Sequence, residues 1–127
     1  MNINWDLFRK SIVFIWIISI CTVSYLSVVP QVDMPFDFKW FDKVCHFLAY
    51  FWVSVLPFFG FSRVKKAMIC ALLMIPLGMG LEFVQGFVPG RFLSAGDMIV
   101  NGFGVTVGIV LGRSLLEDRS QRWYRRR

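Results

Sequence analysis

The sequence predicts an all-α integral membrane protein, a four-helix bundle with both termini cytoplasmic and a single domain over residues 1–127. Three observations carry this. Hydrophobic residues make up 57% of the 127-residue chain and aromatic residues 17%, too much for a soluble protein whose surface must be mostly polar. Four apolar stretches, about 11–29, 44–61, 67–88 and 98–116, each approach the roughly 20 residues a helix needs to cross ~30 Å of hydrocarbon. Each span must be a helix, because no water is present there to bond the backbone. Finally, the basic residues alternate. Arg9 and Lys10 precede the first span, Arg63, Lys65 and Lys66 separate the second from the third, and a basic run follows Arg113. The remaining loops hold only Lys39, Lys43 and Arg91, so the positive-inside rule puts both termini in the cytoplasm and loops one and three outside.

The first span is longer than the apolar core of a secretory signal, and no small-x-small cleavage site follows it before Pro30, so it reads as a retained helix. It contributes only Ser, Thr and Tyr as polar groups and is expected to be scaffold. Loop one, "PQVDMPFDFKWF", carries Phe36, Phe38, Trp40 and Phe41 among alternating charges, the pattern of an interfacial aromatic belt that lids a site. The second span opens as "FDKVCHFLAYF". On a helix Asp42 and His46 are i,i+4 neighbours, Lys43 and His46 are i,i+3, and Tyr50 continues that face one turn deeper. Pro57 and Pro76 are expected to kink the second and third spans.

In the third span Glu82 lies about 9 Å below the outer end, from a rise of ~1.5 Å per residue, with Gln85 one turn nearer the surface. An acidic residue facing lipid is costly, so Glu82 should face the bundle interior and pair with Arg91 or Lys43, or else be protonated. Loop three, "VPGRFLSAGD", has a Pro89-Gly90 turn, then Arg91, then Ser94 and Asp97 at the spacing of a helix N-terminus. Asp97 and Asn101 are i,i+4, and Gly104, Gly108 and Gly112 continue their stripe as small-xxx-small. Gly78 and Gly86 flank Glu82, which suggests a close approach of spans three and four; the Gly104/Gly108/Gly112 stripe would serve a homodimer as easily.

Topology gathers these groups at the outer end, where span two starts, span three finishes and span four starts. The candidate catalytic residues are His46, Glu82, Asp42 and Asp97, with His46 as acid–base. The candidate binding residues are Arg91, Lys43, Gln85, Ser94, Asn101 and Tyr50, Arg91 offering a planar fork for phosphate. No metal or cofactor is expected, since one His with scattered carboxylates lacks ligand spacing. Cys21, Cys45 and Cys70 read as small apolar fillers. The basic tail "RSQRWYRRR" reads as an anchor on anionic lipid rather than a nucleic-acid surface.

The order Asp42-Lys43-x-x-His46-Phe47-x-x-Tyr50, Glu82-x-x-Gln85, Pro89-Gly90-Arg91 and Ser94-x-x-Asp97-x-x-x-Asn101 resembles the VanZ-like family of small bacterial multipass proteins, over about Phe41 to Gly108. The resemblance implies a bacterial cytoplasmic membrane, cell-envelope biology and an effect on susceptibility to the glycopeptide teicoplanin. Two functions are then expected. One is binding or modification of a lipid-linked or phosphorylated envelope molecule. The alternative is a non-catalytic lipid-binding, drug-binding or scaffold protein whose polar cluster is structural.

Overall fold

The computed structural model describes residues 4–30 and 39–124, with side chains at 4–30 and 40–117. All regular structure among these residues is helical: α1 (Trp5–Val28), α2 (Lys39–Val55), α3 (Pro57–Gly60), α4 (Val64–Leu72), α5 (Met74–Gln85) and α6 (Ala95–Tyr124). They form four helical segments long and apolar enough to cross a membrane, Trp5–Val28, Trp40–Gly60, Val64–Gln85 and Ala95–Glu117. The helices run past the apolar stretches because a helix continues into the interface until a cap or a proline stops it. Asn4 starts α1, its side chain accepting the Leu7 N–H, well ahead of the apolar run. The lid expected of loop one falls on residues 31–38, outside the described ones.

Two prolines divide the middle segments, as their chemistry requires. Pro57 has no N–H for the Val53 carbonyl one turn back, and α2 gives way there to α3. The freed carbonyl is taken by the Trp16 indole of α1, Nε1 donating to Val53 O at 2.7 Å. A defect in one helix thus becomes a tie to another. Pro76 lies just past the break between α4 and α5.

The glycine stripe decides the central contact. A Cβ built on Gly104 would stand 2.6 Å from the Phe47 carbonyl oxygen, and one on Gly108 would stand 2.8 Å from that of Phe51. At Gly112 it would meet the Phe58 ring at 2.5 Å. Backbone cannot yield to such contacts, so only glycine admits α2 this close to α6. This corrects one expectation from the sequence. The partner of the stripe is the second span, not the third, and its glycines are used in packing within the chain. Gly78 of α5 likewise faces α2, seating the Tyr50 ring. A sequence period says which residues share a face but not which neighbour covers it.

Around this contact Tyr50, Val53, Met74 and Val105 form one buried cluster, with Trp16 and Ile20 of α1 packed against it. Phe58, Ala67 and Ala71 form a second. Elsewhere large apolar side chains face outward, among them Phe14, Ile18, Ile69, Met79, Phe83 and Phe103. Lipid accommodates such a surface where water would not. Cys21 and Cys45 are also exposed, so they do not fill the core as expected of them.

The segments run up and down. The start of α1, the α3–α4 turn and Leu116 meet at one end, around Arg9, Lys10, Arg63 and Lys66. The end of α1, the start of α2, the end of α5 and the start of α6 meet at the other.

Candidate functional site

The second end brings the candidate residues together. Glu82, Gln85, Asp97, Asn101 and Tyr50 are all buried, Glu82 to 1% exposure. The local sequence explains how. Ser94 caps α6, its Oγ accepting the Asp97 N–H at 3.2 Å. In a complete capping box the acidic residue at Asp97 would accept the Ser94 N–H in return. Here Glu82 of α5 takes that bond instead, Oε1 accepting at 2.8 Å. The exchange ties α5 to the start of α6 and places a carboxyl group at a positive helix end.

Asp97 turns to Lys43 of α2, with Oδ1 2.6 Å from Nζ. The ammonium group also lies against Gly96, where a Cβ would stand 2.9 Å from Nζ. One turn on, His46 Nδ1 is 3.1 Å from Asn101 Oδ1. An amide oxygen only accepts, so Nδ1 carries the hydrogen and the lone pair of neutral His46 is on Nε2. That nitrogen looks toward Asp42 Oδ1 at 3.8 Å, beyond hydrogen-bond reach.

Arg91 departs from expectation. It does not pair with Glu82, but donates Nε to Val29 O at 3.0 Å and Nη2 to Leu26 O at 2.9 Å. Those carbonyls close α1, whose C-terminal end attracts a cation. The first span is therefore more than scaffold, since it orients Arg91 through its backbone, a contact no side-chain pattern announces. Arg91 keeps other N–H groups, and with Ser27, Asp42, His46, Tyr50 and Gln85 it lines a cavity of about 160 Å³. The apolar wall of that cavity comes from Val23 and Leu26 of α1 and Ala49 of α2.

Two features of this end were not read from the sequence. Among the described residues, Asp42, His46 and Asp97 offer ligand atoms that all lie within 4.8 Å of one another. The Asp42/His46 half of that group was visible as an i,i+4 pair, but Asp97 joins only through the α2–α6 contact. The second is that Glu82 Oε2 is buried with no hydrogen-bond partner, a state it shares among the described residues with Ser54 Oγ. Neither Arg91 nor Lys43 neutralises it by direct pairing.

No family model matches the chain, and no solved structure matches it. An uncharacterized protein of the fission yeast Schizosaccharomyces pombe is 29% identical over 123 residues, covering 91% of this chain and 74% of the relative. These findings overturn the resemblance to the VanZ-like family. No family model carries the motif order, and the relative is eukaryotic rather than bacterial. Short motifs at i,i+3 and i,i+4 arise wherever helices gather polar groups on one face, so their spacing is weak testimony of descent. The expectations of glycopeptide susceptibility and of a bacterial envelope, which rested on that family, fall with it. What the chain is similar to is a eukaryotic protein, about three quarters of whose length it spans.

Proposed function

We propose that this is a multipass membrane protein of one domain that binds the phosphorylated polar head of a lipid or lipid-linked molecule. The binding site in this reading is the cavity between the ends of α1, α2 and α5. One observation carries it: the cavity of about 160 Å³ has Asp42, His46, Tyr50, Gln85 and Arg91 on its polar walls and apolar α1 side chains beside them. At ~30 Å³ per water, that is room for about five waters, which suits a phosphate with its immediate substituents. A lipid tail would lie along the exposed apolar face of α1. Arg91, held in place by the α1 carbonyls, presents its remaining N–H groups to phosphate oxygens. His46, its tautomer set by Asn101, offers Nε2 as a proton acceptor for a hydroxyl or water beside the headgroup.

In this reading the basic end faces the cytosol, with both termini there, and the polar cavity faces the opposite side. A cysteine introduced at Ser94, with Cys21, Cys45 and Cys70 replaced, would then react with an impermeant thiol reagent from the non-cytosolic side. Labelling only after lysis would reverse the orientation.

A second, structural reading is favoured by a different observation. Lys43–Asp97, His46–Asn101 and Arg91 with the α1 carbonyls tie three of the four segments together on their own. A titration separates the two readings. A ligand that binds only the folded state raises Tm with its concentration. Short-chain phosphatidate should raise Tm in wild type but not in His46→Gln, and a short-chain diacylglycerol should do neither. Equal shifts with both lipids, or in both proteins, would leave the cluster as structure alone.

A further inference from the structure

Three carboxyl groups, Asp42, Glu82 and Asp97, lie near one another at the polar end, and of these only Asp97 bonds directly to Lys43, while Arg91 donates Nε and Nη2 to carbonyls of α1. His46 Nε2 faces Asp42 Oδ1 across 3.8 Å, beyond hydrogen-bond reach, so the gap between them is not bridged by a direct bond. Such an arrangement calls for a cation. We propose that Asp42, His46 and Asp97 bind a first-row divalent cation of the Mn²⁺ or Zn²⁺ class.

The geometry supports this residue by residue. Ligand atoms about 2.1 Å from a common ion stand roughly 3 to 4 Å apart. The Asp42–His46 pair is already in that range at 3.8 Å, and all three ligand atoms lie within 4.8 Å of one another, so shifts of side-chain size complete the approach. His46 is prepared as metal-binding histidines are, its other ring nitrogen donating to a fixed oxygen, here Asn101 Oδ1. Asp97 is oriented by Lys43, whose Nζ donates to Oδ1, and one of its carboxylate oxygens lies within 4.8 Å of the other two ligand atoms. A separate observation points the same way. Glu82 is 1% exposed, its Oε2 has no hydrogen-bond partner, and its charge acts on His46, Asp97 and Asp42. A buried carboxyl oxygen left without a partner beside such a cluster is costly, and a cation bound there would offset it. One imidazole with carboxylate oxygens favours Mn²⁺ or Zn²⁺ over Ca²⁺, which takes oxygen alone.

This site stands on its ligand set and goes beyond the lipid reading, so it is tested with the metal alone. Chelator-treated full-length protein in detergent is titrated with Mn²⁺ and with Zn²⁺, following bound metal by calorimetry and, for Mn²⁺, by electron paramagnetic resonance. One equivalent should bind in wild type, with a tenfold or greater loss of affinity in His46→Gln and Asp97→Asn. Asp42 is half exposed at the rim, so Asp42→Asn keeps the fold whatever happens to the buried variants, and it should also lose at least tenfold. Lys43→Gln should move the other way and bind metal more tightly, because it removes a competing cation from Asp97. That gain is one a merely structural ion pair would not produce. The absence of stoichiometric binding in wild type, or Asp42→Asn binding as tightly as wild type, would overturn the site. Neither result depends on phosphatidate, so failure here leaves the lipid reading to its own titration.

Discussion

The two ends of the molecule carry similar amounts of charge and use it in opposite ways. At the basic end Arg9, Lys10, Arg63 and Lys66 surround a cavity of about 500 Å³ with Asp6, and all of these side chains are exposed. At the polar end the cavity is about 160 Å³, yet Gln85 on its wall and Glu82, Asp97 and Asn101 at the same end of the bundle are buried. Volume alone would choose the basic end, and burial the polar one. Exposed charges are screened by water and salt and act through their sum, which suits orientation in a membrane. Buried ones must each find a partner, so their positions are specific and each loss is felt. The Arg113–Glu117 pair at the basic end, 2.9 Å apart and exposed on both sides, belongs to the first kind.

The sharpest test of what holds the polar end in place is to force the helices behind it apart. Gly104→Leu should cost about 3 kcal/mol, the upper end for overpacking, because its Cβ would meet the backbone of α2. Gly102→Leu is the control. No atom lies within 4 Å of its added Cβ, so its stability should stay within about 0.5 kcal/mol of wild type plus the propensity gain of losing a helical glycine. Equal losses in the two would break the assignment of the stripe to α2. Next, Trp16→Phe keeps an aromatic ring but strands the Val53 carbonyl beside Pro57. It should cost about 1–3 kcal/mol in reversible unfolding, the usual penalty for a buried acceptor left alone.

The comparison itself is put at risk by Glu82→Gln. The amide oxygen keeps the bond from Ser94 N–H, while the ionisable group disappears. If the polar end is built for a ligand, Tm should hold or rise, because sites are not arranged for stability, while Mn²⁺ affinity falls. A Tm that falls in step with binding would make the cluster an internal brace. The smallest effect belongs to the other end. Arg9→Gln or Lys66→Gln should change stability by less than about 0.5 kcal/mol, as exposed charges do.

Much of this was legible in the chain. Length, apolar runs and charge alternation gave the helical class and its four spans, since the bilayer leaves few alternatives. Up-and-down topology was enough to bring Asp42, His46, Glu82 and Asp97 to one end, because each lies at the same end of its span. Partner choice was not legible. Arg91 bonds to backbone carbonyls, which every residue possesses, so sequence could only offer it acidic side chains. Glu82 took a capping bond that the Ser94/Asp97 spacing assigned to Asp97. The glycine stripe named a thin face without naming the helix against it. The family reading failed for a related reason, in that helical spacing constrains unrelated polar clusters to similar motifs.

The central claim, that the polar end and not the larger basic cavity is the binding site, has a direct test. The protein is reconstituted and irradiated with a phosphatidate carrying a photoreactive group near its phosphate, and the labelled residues are mapped by mass spectrometry. The account predicts label on 42–50 and 85–91, diminished in His46→Gln at unchanged Tm. Label concentrated around Arg9, Arg63 and Lys66, or on the polar end equally in wild type and His46→Gln, would contradict it.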